Sequence, residues 1–140
     1  MQKMLEVAEG FQYSVNIGFD LNDDAKLKNF IPTQSALRLL ESILQSTAVN
    51  CTDRARVLVG AYGKGKSHIV LTILSLLLKK DLSLFPKLME SVKQNEKLYQ
   101  SIINYYESDK KILPVVITGS NTSIPQAFLL ALQRTLVEND

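Results

Sequence analysis

The chain contains the stretch Gly60-Ala61-Tyr62-Gly63-Lys64-Gly65-Lys66-Ser67. It matches the pattern G-x-x-x-x-G-K-[ST]. Glycines let the backbone turn tightly and bring its N–H groups towards phosphate oxygens. In this pattern the positive charge of Lys66 binds the β- and γ-phosphates, and the hydroxyl of Ser67 is a ligand for Mg²⁺. The octapeptide therefore predicts a phosphate-binding loop at the start of a helix.

The sequence on either side of the octapeptide suits such a loop. Residues 54–59 are a short apolar run with β-branched members, which predicts a buried strand. Residues 67–80 are apolar on nearly every side, which predicts a helix of about three to four turns packed against a sheet. The motif requires this order of strand, loop and helix.

With these residues the chain resembles the P-loop NTPases, whose Walker A motif the octapeptide matches. The glycine spacing is similar to that of AAA-type and ABC-type ATPases. The longer string of residues 60–68, together with Phe30-Ile31-Pro32-Thr33 ahead of the preceding helix, is similar to the amino-terminal part of large bacterial ATPases of BREX-like phage-defence systems. The resemblance implies that residues 60–68 bind ATP with Mg²⁺, and that Ser67 is the metal ligand.

The predicted fold class is α/β, a three-layer sandwich of the P-loop NTPase type of which the chain carries the first half. Alternating residues at 11–19 predict an amino-terminal edge strand, and residues 112–119 predict a second buried strand. We predict an amino-terminal strand and helix over residues 1–50 and an incomplete nucleotide-binding core over residues 51–140.

No predicted strand ends in the acidic residues that activate water and hold Mg²⁺ in such ATPases. The catalytic residues are therefore not identified from this sequence. We expect the acid and any arginine finger to come from the rest of the polypeptide or from partner subunits.

Further helices are predicted at residues 34–45, at 81–109 as two helices that break near residue 94, and at 124–137. Thr33 is a natural N-cap for the first. Pro86 falls in a first turn, where proline is tolerated. Ser123 and Gln126 form a capping box ahead of the last helix.

Three residues in or beside the octapeptide have two interpretations each. His68, the single histidine, either contacts a phosphate or a partner subunit, or is a polar residue of the first helical turn. Lys64 either reaches the γ-phosphate or is solvated. Tyr62 either stacks on a base or packs over the loop.

Residues further from the octapeptide are weaker candidates. Arg54 and Arg56 suit a solvated or sheet-edge role better than that of an arginine finger. Asn121 and Thr122 follow the second predicted strand, where they would position water or Mg²⁺. Residues 30–33 either flank the adenine or form the apolar start of the next helix.

Composition limits the classes of function. The chain has 140 residues, is 46% hydrophobic and 21% charged, and has a net charge of +2, which predicts neither a strong nucleic-acid field nor a membrane field. The single cysteine, Cys51, excludes an internal disulfide and suits a reducing cytoplasm. No apolar run reaches the roughly 18–20 residues of a membrane span.

Two functions follow. The first is the ATP-binding portion of an ATPase, whose nucleic-acid contacts would arise only through a larger assembly. The alternative is a nucleotide-responsive interaction module with little or no turnover. For either function, the exposed sheet edges of half a domain predict self-association. A small-molecule kinase ranks last, because residues 81–109 contain no arginine to close over phosphates.

Overall fold

The computed structural model describes residues 15–48, 50–61, 63–119 and 123–139. Within these ranges all regular secondary structure is helical. The α-helices are α1 (Ile17–Asp20), α2 (Gln34–Ser46), α3 (Lys66–Leu77), α4 (Pro86–Val92), α5 (Glu96–Glu107) and α6 (Ile124–Asn139), and short 3₁₀ turns lie at Asp24–Lys26 and Leu82–Leu84.

The predicted α/β three-layer sandwich is wrong for the part of the chain that the structure describes. Residues 51–61 and 110–119 have no regular secondary structure there and form no sheet. Val57 and Val59 are 86% and 91% exposed, whereas a central strand would bury them. A strand needs neighbours that pair with its backbone, and among the described residues no strand pairs with either apolar run.

The amino-terminal edge strand predicted over residues 11–19 is also wrong where it can be compared. Residues 11–14 lie outside the described residues, and α1 begins at Ile17. The side-chain oxygen of Asn16 accepts the N–H of Gly18 at 3.2 Å, while Asp20 accepts the N–H of Asn16 at 2.7 Å. These local bonds favour a helical turn over the extended chain that the alternation of residue types suggested.

The helices predicted from local signals are confirmed. Thr33 caps α2, and its hydroxyl accepts the N–H of Ala36 at 3.2 Å. The break near residue 94 separates α4 from α5, where Asn95 caps α5 by accepting the N–H of Leu98. Pro86 is the first residue of α4, where its missing N–H costs nothing.

One hydrophobic core joins α2, α3, α4 and α5. It includes Leu27, Leu40, Leu71, Leu76, Phe85, Leu88, Val92, Leu98 and Ile102. Helix α6 lies outside this cluster, and of its residues only Ala131 and Thr135 are buried. No helix in the described ranges combines the length and the apolar character needed to cross a bilayer.

The carboxyl ends of α3 and α5 hold each other. The Tyr105 hydroxyl donates to the carbonyl of Leu77 at 2.6 Å, and the Tyr106 hydroxyl donates to that of Lys80 at 2.8 Å. In return the Lys79 ammonium donates to the carbonyls of Tyr106 and Ser108. Both tyrosines of α5 therefore take part in the packing between these two helix ends.

Candidate functional site

The octapeptide leads directly into α3, which begins at Lys66 with Gly65 as its N-cap. Gly63 and Gly65 both have φ near +75°, a left-handed conformation that other residues rarely adopt. A Cβ atom added at either position would meet nothing within 4 Å. The backbone conformation, and not lack of space, is therefore what requires glycine at these two positions.

Lys66 folds back over the beginning of the loop. Its ammonium donates to the carbonyl of Gly60 at 2.7 Å and to that of Ala61 at 2.6 Å. These two hydrogen bonds close residues 60–66 into a ring and hold a positive charge against the first residues of the octapeptide. An ammonium has three N–H donors, and carbonyls are weaker acceptors for it than anionic oxygens.

No side chain of α3 or its N-cap offsets the positive end of the helix at its first turn. Gly65 supplies no side-chain cap, and the turn contains no acidic residue. The first N–H groups of a helix have no partner within the helix, and they carry the positive end of its dipole. Ser67, the second residue of α3, is exposed, so its hydroxyl is accessible as a ligand. An anion is the natural complement of such a turn.

His68 faces the protein and not the loop. Its Nε2 lies 2.7 Å from the carbonyl oxygen of Lys26, and its ring meets that of Phe30 edge-on at 5.1 Å between centroids. Phe30 is only 7% exposed and belongs to the core, while Ile31 is 59% exposed. The position of Phe30 favours the interpretation that it packs ahead of α2 over the interpretation that it flanks a base.

Arg54 and Arg56, the two candidate arginines, both form hydrogen bonds with other residues of the protein. Arg54 donates to the carbonyls of Cys51 and Ala48. Arg56 forms an ion pair with Asp53 at 2.7 Å and donates to the hydroxyl of Ser42 at 3.0 Å. Of the two roles predicted for these arginines, solvated or at a sheet edge, the sheet-edge role is wrong, because the described residues form no sheet. Arg56 instead ties the chain ahead of the loop to α2.

The remaining candidates are placed as follows. Lys64 is exposed within the loop. Tyr62, Asn121 and Thr122 lie outside the described residues. Among the residues that are described, no three His, Cys, Asp or Glu side chains come together as a metal site.

The contact of His68 with Lys26 was not predicted from the sequence. The two residues are 42 positions apart, and no motif or periodicity links them. The only signal in the sequence was that an isolated histidine followed the octapeptide.

No protein-family model, curated protein or solved structure matches this chain. The resemblance to P-loop NTPases therefore rests on the octapeptide and the residues around it.

Proposed function

We propose that residues 60–68 bind the triphosphate of ATP together with Mg²⁺, as the ATP-binding portion of an ATPase. The observation that carries the proposal is the closed loop of residues 60–66. In it, two left-handed glycines precede an uncapped helix, and Lys66 is held over the loop by two backbone carbonyls. Uncapped N–H groups, helix dipole and ammonium charge all favour a polyphosphate at this place.

Each residue has a separate role in this proposal. Gly63 and Gly65 set the backbone so that N–H groups are presented to phosphate oxygens. Lys66 exchanges neutral carbonyl acceptors for anionic oxygens, which form stronger hydrogen bonds with it. The exposed hydroxyl of Ser67 would be a ligand for Mg²⁺, whose charge offsets that of the phosphates.

Hydrolysis requires more than this loop. An acid that orients water, and in many such enzymes an arginine worth about 10³–10⁵ in rate, complete the site. We propose that the rest of the same polypeptide or partner subunits supply both groups. A cytoplasmic phage-defence ATPase, acting on nucleic acid only within a larger assembly, is the setting that the resemblance supports.

Isothermal titration calorimetry with Mg-ATP and with Mg-tripolyphosphate tests the proposal. The variant Lys66→Ala should bind both ligands at least about tenfold more weakly, since it loses charge-assisted hydrogen bonds. The control Lys93→Ala removes an exposed lysine beyond α4 and should bind as the parent does. Equal affinity in Lys66→Ala and the parent would overturn the proposal.

The alternative function is a nucleotide-responsive interaction module with little turnover, and here we propose a second copy of the chain as the partner. Exposed apolar side chains favour it, among them Val57, Val59, Ile124, Leu129 and Val137. Phosphate release and sedimentation velocity distinguish the two functions when both are measured with and without Mg-ATP. ATP-dependent association without turnover supports the module, and turnover that Lys66→Ala abolishes supports the ATPase.

A further inference from the structure

The contact of His68 with residues 16–30 is not explained by phosphate binding itself. Nε2 of His68 lies 2.7 Å from the carbonyl oxygen of Lys26. Because a carbonyl oxygen only accepts hydrogen bonds, Nε2 carries the hydrogen and donates it. The imidazole also packs edge-on against Phe30, which is buried in the core. The side chain of the third residue of α3 is thus held by two contacts on a separate part of the chain.

The segment that holds His68 is itself well fixed. The Lys26 ammonium pairs with Asp20 at 2.6 Å, and both side chains are largely buried. Asp20 also accepts the N–H of Asn16, so one carboxylate ties together the two ends of this turn. Leu27, next to Lys26, is 1% exposed and anchors the turn in the core. The backbone carbonyl of Lys26, which accepts the hydrogen bond of His68, is therefore held in a fixed position.

The first turn of α3 needs support of this kind. In α2 and α5 a side-chain cap accepts an N–H of the first turn, whereas Gly65 provides none for α3. Helix ends without caps fray, and a ligand that must order a frayed turn binds more weakly. Within α3 the hydroxyl of Thr72 donates to the carbonyl of His68, which adds a bond on the helix side.

We propose that His68 is a positioning residue for the phosphate loop. Its contacts with Lys26 and Phe30 hold the first turn of α3, so that the N–H groups of that turn are already directed when phosphate arrives. This inference rests on the proposed function. According to this inference, the segment of residues 16–30 supports the phosphate loop, although the two are distant in sequence.

Two substitutions of His68 separate its hydrogen bond from its packing. His68→Leu keeps an apolar contact with Phe30 and loses the donor to Lys26. His68→Gln retains an N–H donor at a similar distance from the backbone. In calorimetry with Mg-tripolyphosphate, His68→Leu should bind about three- to tenfold more weakly than the parent, and His68→Gln should recover most of the affinity. Amide hydrogen exchange at residues 66–68 of the free protein should be faster in His68→Leu.

A second variant tests the same inference from a distance. Asp20→Asn removes the negative charge that pairs with Lys26. The segment of residues 16–30, which holds His68, should then be less rigid. This variant should also bind tripolyphosphate more weakly, and the double variant with His68→Leu should bind about as weakly as the weaker single variant. Ile73→Val is the matched control, because it removes a buried methyl group from α3 and lowers stability without removing any hydrogen bond of His68, Lys26 or Asp20.

The outcomes distinguish this inference from the proposed function. Affinity like that of the parent in a folded His68→Leu protein, with loss of binding in Lys66→Ala, overturns the positioning role and leaves the phosphate site standing. A parent protein that binds no tripolyphosphate overturns both. An equal loss of affinity in Ile73→Val overturns the inference, because stability alone would then govern binding. Should His68→Leu not fold, unchanged affinity in Asp20→Asn is the result that overturns it.

Discussion

The ammonium of Lys66 lies where it could exchange its present hydrogen-bond acceptors for others. It is held by the carbonyls of Gly60 and Ala61, which are neutral acceptors contributed by its own loop. An anionic oxygen is the better acceptor for an ammonium, so the proposed phosphate would compete well against these carbonyls. The same two hydrogen bonds close the loop around the charge. At the scale of single residues, this lysine is central to the site.

We predict that Ser67→Ala makes ATP binding less dependent on Mg²⁺. The variant loses the hydroxyl that would be a metal ligand, so ATP affinity with Mg²⁺ should approach ATP affinity in a chelator. Calorimetric titrations of ATP with Mg²⁺ and with EDTA measure this difference. Ser67→Thr is the control, because it keeps a hydroxyl and should retain the Mg²⁺ dependence of the parent. A dependence that is the same in Ser67→Ala and the parent would remove Ser67 from the metal shell.

We predict that Lys79→Gly is more stable than Lys79→Ala by about 1 kcal/mol, because Lys79 has φ of 57° and only glycine adopts this conformation without cost. Both variants lose the hydrogen bonds of the ammonium to Tyr106 and Ser108 and its position 5.2 Å from the Tyr105 ring. Relative to the parent, Lys79→Ala should lose about 2 kcal/mol. Urea unfolding measures both values, and a glycine variant no more stable than the alanine variant would contradict the prediction.

Among the elements, α3 is held at both ends by other parts of the chain. In its first turn, His68 contacts the carbonyl of Lys26. At its other end the carbonyl of Leu77, the last residue of α3, accepts a hydrogen bond from Tyr105, and the carbonyl of Lys80 accepts one from Tyr106. Lys80, just beyond the helix, also forms an ion pair with Asp24. The helix that would bind phosphate is therefore fixed by contacts from residues distant in sequence at each of its ends.

We predict that the protein loses stability as the pH rises above about 10, the ordinary pKa of tyrosine. Burial raises the pKa of Tyr105 and Tyr106, and for Tyr106 the charges of Tyr105 and Asp81 add to the effect of burial. Both phenols keep their protons in the folded protein at a pH where the unfolded chain releases them. Their contribution is therefore complete below about pH 10 and is lost at higher pH.

Denaturant unfolding from about pH 8 to pH 11.5 measures this loss. Tyr106→Phe should be less stable at pH 8, because it no longer donates to the carbonyl of Lys80. Its stability should nevertheless fall less steeply at high pH than that of the parent. An equally steep fall in both proteins would show that Tyr106 does not contribute to the alkaline transition.

The sequence predicted the features that depend on neighbouring residues and failed for those that depend on distant ones. The cap at Thr33 and the break before Asn95 depend on neighbours a few residues away, so both were predictable. The strand predicted before the octapeptide depended on partners elsewhere in the chain, and the structure provides none in the residues it describes. The motif identified Lys66 and the glycines as candidates, yet no local pattern could pair His68 with Lys26.

On the scale of the whole molecule, the hydrophobic core and the exposed apolar side chains of α6 lie in different parts of the structure. The core lies among α2, α3, α4 and α5, whereas α6 leaves large apolar side chains in solvent. These are Ile124, Phe128, Leu129, Leu130, Leu136 and Val137. Monomeric proteins rarely expose large contiguous apolar surfaces, so this helix is the part of the described chain best suited to association.

We predict that the chain self-associates in a concentration-dependent manner, because association would remove the apolar side chains of α6 from water. Sedimentation velocity over a concentration series should show a rising average mass. The variant Leu129→Gln/Val137→Gln should shift the transition to higher concentration, whereas the control Ile31→Gln, at an exposed apolar residue ahead of α2, should shift it less. A single monomeric species at all concentrations would contradict the prediction.

Handedness, and not size, sets the limit on change at Gly63 and Gly65. Each position has open space where a methyl group would stand, but its φ near +75° suits the mirror image of an ordinary amino acid. D-alanine, introduced by chemical ligation, would fit this backbone without strain and would reduce the freedom of the unfolded loop. L-alanine at the same position would occupy equal volume and oppose the same turn. The loop could therefore be made more rigid by a change of stereochemistry alone.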